Sequence, residues 1–214
     1  MADRPIIFSA PMVRAILSGV KTQHRVVLKP QPRQTDKGEW YVATRAGFVY
    51  LAGIDLDLVS PYAVGDRLWC REAFYLGDDG DYEYAVPAAD TEAVSEHVAK
   101  LDRLMRTHPE ASAAWERLRK LRPSIHMPRW ASRLTLTVTD GRVQRLQEIS
   151  EEDARAEGVD DSWLVKIGLA SDQRRRAFQF LWEDLHGPSA WSANPWVCAL
   201  TFTVERRNID AKEG

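Results

Sequence analysis

Two spacings of apolar residues divide this chain. Leu134 to Thr139 alternates apolar with polar side chains, the period of a half-buried strand. Phe178, Leu181, Trp182 and Leu185 recur at i, i+3, i+4 and i+7, the period of an amphipathic helix, which Gly187-Pro188 stops. Strands are also predicted at Pro5–Ala10, Val26–Leu28, Trp40–Thr44, Phe48–Leu51, Arg67–Tyr75, Tyr82–Val86 and Trp196–Val204, where β-branched and aromatic residues gather. Ala46-Gly47 sits in the turn of one hairpin, and Tyr82–Val86 reads as the partner of Arg67–Tyr75. Asp140-Gly141 signals another hairpin, from which Val143 to Ile149 pairs back.

Helical patterns interrupt these strands. Pro11 opens a helix with Met12, Val13, Ile16, Leu17 and Val20 on one stripe, followed by a polar, basic turn, Lys21 to Arg25. Residues 88–121 are charged and Ala-rich. Val94, Val98, Leu101, Leu104 and Met105 form one stripe there, Trp115, Leu118 and Leu121 a second, and Pro109 is the break between them. Ser150 caps a short helix that Gly158 closes. Strands and helices do not alternate as in a parallel sheet. The pattern predicts an α+β fold, a small mixed or antiparallel β-barrel with flanking helices. All 214 residues fit one domain, with a helical insertion at about 88–121.

Composition narrows the function classes. A net charge of -2 excludes a global polycation, so any nucleic-acid contact needs a local patch. Eight Trp are many for this length, enough to line a cleft as well as a core. The two cysteines, Cys70 and Cys198, lie in apolar runs and suit a reducing cytosol. No signal peptide or apolar run of about 20 residues is present, so a soluble, cytoplasmic protein is expected. Histidines at 24, 97, 108, 126 and 186 show no metal-ligand spacing, and no nucleotide-binding glycine motif occurs. No metal or cofactor is expected.

Candidate chemistry falls in three places. Lys21-Thr22-Gln23-His24-Arg25 can bind an anion or supply a nucleophile with its base, and equally can complement the dipole of a helix end. Between Arg117 and Gln147 stand Arg117, Arg119, Lys120, Arg122, Arg129, Arg133, Arg142 and Arg145 against one acid, Asp140. Eight minus one gives +7 locally, and His126 and Trp130 sit among these charges as a phosphate-and-base surface requires. A solvated helix face laced with Arg–Glu pairs reads the same stretch equally well. Glu72, on the face of Cys70 and Phe74, needs an Arg partner if it points into the core, whereas Glu157 ends the short capped helix.

Several of these segments together resemble the ASCH family. They are Pro5–Ser9, Leu17–Thr22, Gly65–Glu72 and Ile149–Gly158, with Ile125–Arg133 and Ala193–Val197 similar to longer members often encoded by phages and prophages. The resemblance implies a PUA-like barrel whose cleft accepts RNA or a nucleobase. A small bacterial member is an N4-acetylcytidine amidohydrolase that uses a Lys, a Thr three residues later and a downstream Glu. Those roles fall on Lys21 and Glu157, while His24 stands where the Thr would be and Thr22 is a hydroxyl nearby. Three functions follow. A hydrolase would use Lys21 as base and Glu157 as acid, with His24 or Thr22 activating water or attacking the acyl carbon. A binding module would hold phosphate with Lys21, Arg25, Arg129 and Arg133, stack a base on Trp69 or Trp130, and draw on Glu72 and His126 around it. A ribonuclease would use His24 and Lys21 to activate a 2′-hydroxyl.

Overall fold

The structure is a computed structural model that describes residues 2–44, 47–51, 59–78 and 83–211. The fold is mixed α+β, with ten strands and six helices among the described residues. In chain order they are β1 (Asp3–Ile7), α1 (Ala10–Leu17), β2 (Gln23–Val27), β3 (Arg33–Gln34), β4 (Trp40–Thr44), β5 (Gly47–Tyr50), β6 (Arg67–Arg71), β7 (Phe74–Asp78) and β8 (Glu83–Pro87). There follow α2 (Thr91–Thr107), α3 (Ser112–Arg119), β9 (Thr135–Arg145), α4 (Glu151–Ala156), α5 (Asp161–Lys166), α6 (Arg174–His186) and β10 (Trp196–Glu205). Among the described residues no sheet closes into a barrel. The chain divides into two compact units, and β9 runs through both.

The first unit comprises Met1–Ala2, Ser18–Arg67 and Thr137–Val204. Here β10 lies between β9 and β2, and β3, β4 and β5 form a separate antiparallel sheet. β2 pairs antiparallel with β10, with His24 opposite Leu200 and Arg25 opposite Ala199. Lys21 to Arg25 is therefore not a turn. From Gln23 onward it is a strand, because a long apolar neighbour supplies backbone partners that outweigh the local polar character. The core gathers Leu146, Ile149, Ala154, Leu164, Phe178 and Trp182. α6 buries Ala177, Phe178 and Trp182, and its predicted fourth apolar position, Leu185, is 45% exposed. Ser150 Oγ accepts from the Asp153 N–H at 3.0 Å, as an N-cap should, and Gly158 ends that helix at φ 105°. At six residues α4 is too short to hold alone, so its packing on α6 fixes it.

Asp140-Gly141 does not turn. β9 runs unbroken through it, and Gly141 does not take the left-handed φ that a two-residue hairpin requires. Val143 and its neighbours continue the strand instead of pairing back, since β10 offers ten residues of partner.

The second unit comprises Asp3–Leu17, Leu68–Leu136 and Glu205–Gly214. β6 lies between β1 and the start of β9. The predicted strand Arg67–Tyr75 is two strands, broken at Glu72-Ala73, and β7 is the part that pairs with β8. Tyr82, the first residue of one predicted strand, and Ala46, in a predicted hairpin turn, lie outside the described residues. The predicted helical stretch forms α2 and α3, and Pro109 opens the short 3-10 turn between them. Asp90 caps α2 by accepting from the Ala93 N–H. Leu101 and Leu118 pack with Phe74, Leu76 and Met127, while Leu121 is 47% exposed.

Candidate functional site

The first unit concentrates its buried charge around Glu157. This residue follows the last turn of α4 and is 3% exposed. Lys21 is brought to it by the backbone on either side. Thr22 N–H donates to Ala156 O at 2.8 Å, and Phe202 N–H donates to Thr22 O at 3.0 Å. Lys21 Nζ is completely buried and donates to Glu157 Oε2 at 2.8 Å, to Glu157 O at 2.9 Å and to Gln23 O at 2.8 Å. An ammonium has three protons, and these are three acceptors.

Along β2, Gln23 and Arg25 alternate with half-buried His24, so both turn inward. Arg25 Nη1 donates to Glu157 Oε1 at 2.9 Å and to Gln23 Oε1 at 2.7 Å, and Nη2 donates to Asp153 Oδ2 at 2.8 Å. Its guanidinium lies 5.8 Å from the centre of the Phe178 ring. Arg142 closes the chain by donating to both oxygens of Asp153. Burial opposes the charge of Glu157, but Lys21, His24 and Arg25 together overcome it and hold the carboxyl down to about 2. Burial lowers the pKa of Lys21, and Glu157 works against that shift.

His24 carries this cluster to the edge of a cleft. Its Nδ1 lies 3.8 Å from Glu157 Oε2, an ion-pair distance rather than a hydrogen bond, and its side chain is 20% exposed. Burial pushes its pKa below 6.5, Glu157 opposes the shift, and Lys21 adds to it. The imidazole is therefore neutral at pH 7. A cleft of about 770 Å³ is lined by His24, Arg25, Lys29, Ser60 and His186, with valine and proline walls. His186 stacks on Trp182 with ring centres 4.2 Å apart, and burial followed by the charge of Lys29 lowers its pKa.

Four sequence candidates, Lys21, His24, Arg25 and Glu157, thus meet. Thr22 is exposed and joins the cluster through its backbone alone. The remaining candidates belong to the second unit. Glu72, 1% exposed, accepts from Arg133 Nε at 2.9 Å and Nη2 at 3.3 Å, and its N–H donates to Met127 Sδ. Arg129 donates to Asp3 and, through two nitrogens, to Asp210. Trp69 is half-buried with the Arg71 guanidinium 5.2 Å from its ring, and Trp130 and His126 are exposed. Acids remote in sequence balance much of the local +7. Arg117 meets Glu83, Arg119 meets Asp102, and Arg142 meets Asp153.

No motif marks Lys29, Ser60 or His186. Asp153 did carry a signal, since it stands four residues before Glu157, one helical turn, which sets both carboxylates on one face. No group of three or more His, Cys, Asp or Glu able to hold a metal occurs among the described residues, and no helix is long and apolar enough to cross a membrane. Comparison with protein families, with curated proteins and with solved structures finds no match.

The arrangement has a clear chemical consequence. A neutral imidazole at the edge of a cleft can accept a proton, and a carboxylate kept charged beneath it can stabilise the imidazolium that forms.

Proposed function

We propose that this chain is an ASCH-like hydrolase that removes an acyl group from the exocyclic amine of N4-acylated cytidine or a related modified nucleoside. The carrying observation is that Lys21 Nζ and His24 Nδ1 converge on one oxygen, Glu157 Oε2, at 2.8 and 3.8 Å. Residues 136 and 133 positions apart in sequence meet there (157 minus 21, and 157 minus 24), and that meeting supports the reading.

The roles differ from those the resemblance assigns. Lys21 has no exposure and all three of its protons are engaged, so it does not touch substrate. Glu157, with its pKa at about 2, has no proton to donate near pH 7. His24 is the catalytic residue in this reading. It takes a proton from water as the hydroxide oxygen bonds to the acyl carbon, then returns it to the exocyclic nitrogen as the C–N bond breaks. A carboxylic acid and the free amine leave. Lys21 and Arg25 are positioning residues that keep Glu157 ionised to stabilise the imidazolium. This reading brings with it the PUA-like barrel and a cytoplasmic setting, for which the antiparallel β2–β10 pair beside the site and two buried free thiols are the support.

Incubation with N4-acetylcytidine tests it. Cytidine and acetate should appear, and His24→Ala should stop their release. No turnover, or turnover that survives both His24→Ala and Lys21→Met, sinks the proposal. One observation favours ribonuclease as a second reading, namely that His24 and His186 line the same cleft and could act as base and acid at a phosphodiester. Both pKa values are lowered, which disfavours the imidazolium that would protonate the leaving oxygen, so it ranks below. Cleavage of single-stranded RNA that His186→Ala abolishes would reverse that order.

A further inference from the structure

We infer that the cleft takes a substrate bearing a phosphate, so that the acylated base belongs to a nucleotide or an RNA strand rather than to a free nucleoside. This rests on the hydrolase reading above and adds a second end to the same site. Of the described residues lining the cleft none is a carboxylate, and three are basic or imidazole side chains besides His24. Arg25 is already matched by Glu157 and Asp153. Lys29 is exposed and makes no ion pair among the described residues. Lys29 and His186 line the same cleft, and the charge of Lys29 adds to the lowering of that imidazole's pKa. Ser60 lines the cleft with them and offers a hydroxyl donor.

The charge balance points the same way. Lys21, Arg25 and Arg142 against Asp153 and Glu157 leave a surplus of one positive charge, three minus two, and Lys29 adds a second. Val26, Val27 and Pro61 supply the apolar wall that a base and ribose need between the two ends. Lys29 lies five residues beyond His24, at most about 17 Å along extended chain, and its own side chain can reach back. That reach leaves room for a nucleotide between the two side chains. The cleft volume of about 770 Å³ is within the roughly 300–1,000 Å³ of small-ligand sites.

Steady-state hydrolysis of three substrates decides the matter. They are N4-acetylcytidine, its 5′-monophosphate, and a single-stranded RNA oligonucleotide carrying one N4-acetylcytidine. A charge-assisted contact should raise kcat/KM for the monophosphate over the nucleoside by about 10- to 100-fold, chiefly through KM. Lys29→Met should bring that ratio toward one. A further gain for the oligonucleotide identifies RNA as the source of the phosphate, and a loss identifies the free nucleotide. Equal kcat/KM for nucleoside and monophosphate, or a ratio that Lys29→Met leaves intact, overturns the inference. If none of the three is hydrolysed, the hydrolase reading fails, and calorimetry with cytidine and cytidine 5′-monophosphate still decides the phosphate end. Equal affinity for those two would overturn it.

Discussion

Glu157 in the first unit and Glu72 in the second are both almost fully buried carboxylates that meet arginine, yet their surroundings differ. Glu72 accepts from one guanidinium, Arg133, which is 29% exposed and also lies 3.5 Å from Asp90. Glu157 accepts from two completely buried cations, has an imidazole at 3.8 Å, and stands one turn from a second carboxylate that shares Arg25. One arginine at the edge of a core is enough to neutralise a carboxylate. Two buried cations beside a histidine only 20% exposed exceed that need, and burying each ion costs several kcal/mol before pairing offsets it. The excess is what distinguishes a site from a structural ion pair.

Removing each carboxylate tests this distinction hardest. Glu157→Gln leaves Lys21 and Arg25 buried with one charge too few, and should cost about 3–5 kcal/mol of unfolding free energy together with all turnover. Glu72→Gln leaves Arg133 near Asp90 and water, should cost about 1–3 kcal/mol, and should spare kcat. Urea unfolding of the two variants measures both. Equal losses would mean that Glu157 is only a second structural pair.

His24→Ala separates chemistry from stability. Turnover should fall about 10²- to 10⁴-fold, the usual contribution of a general base, with unfolding free energy changed by less than about 1 kcal/mol. Lys21→Met is the sharper companion. Lys21 helps to depress the His24 pKa, so its loss should move the acid limb of kcat/KM upward from its position below pH 6.5. A purely structural lysine would lower activity without moving that limb.

The pH dependence of stability has a definite sign. Glu157 has a folded pKa of about 2 against 4.5 unfolded, so the unfolded chain binds the extra proton between those values. Its contribution is complete above pH 4.5 and is lost as pH falls toward 2. The loss is on the order of 3 kcal/mol for wild type and should vanish in Glu157→Gln. A variant that loses stability over the same window as wild type would place the titration elsewhere.

Local periodicity carried most of the helices and strands into the sequence reading, and it failed where a distant partner decides. Asp140-Gly141 reads as a turn until β10 lies beside it. Lys21 to Arg25 reads as a loop until Leu200 and Ala199 pair with His24 and Arg25. The Lys21–Glu157 meeting was legible only through the family resemblance, because no spacing rule links residues so far apart. The same limit governs the arginine-rich stretch. Its surplus is real in sequence, yet Asp3 and Asp210, from the two ends of the chain, come to Arg129. His186 and Lys29 have no local signature, since a cleft is made by what folds around it.

Arg145 gives the smallest test and the control for the others. It belongs to the first unit, but among the described residues its guanidinium pairs with no carboxylate; only its backbone N–H donates to one, Glu148 Oε2 at 2.9 Å. Its guanidinium lies 4.7 Å from the Trp40 ring centre and 4.6 Å from that of Trp196, and Nη1 donates to Asn194 O at 3.0 Å. The two rings meet edge to face at 5.4 Å. Each cation–π contact contributes about 0.5–1 kcal/mol where water still reaches the charge, so Arg145→Ala should cost about 1–2 kcal/mol. Arg145→Lys should recover only part of it, because a compact ammonium does not stack in plane as a guanidinium does. Turnover should stay within twofold, since Arg145 is not among the described residues that line the cleft. If Arg145→Ala were as destabilising as Glu157→Gln, the burial of opposed charge would no longer rank these sites, and the contrast between Glu157 and Glu72 would lose its basis.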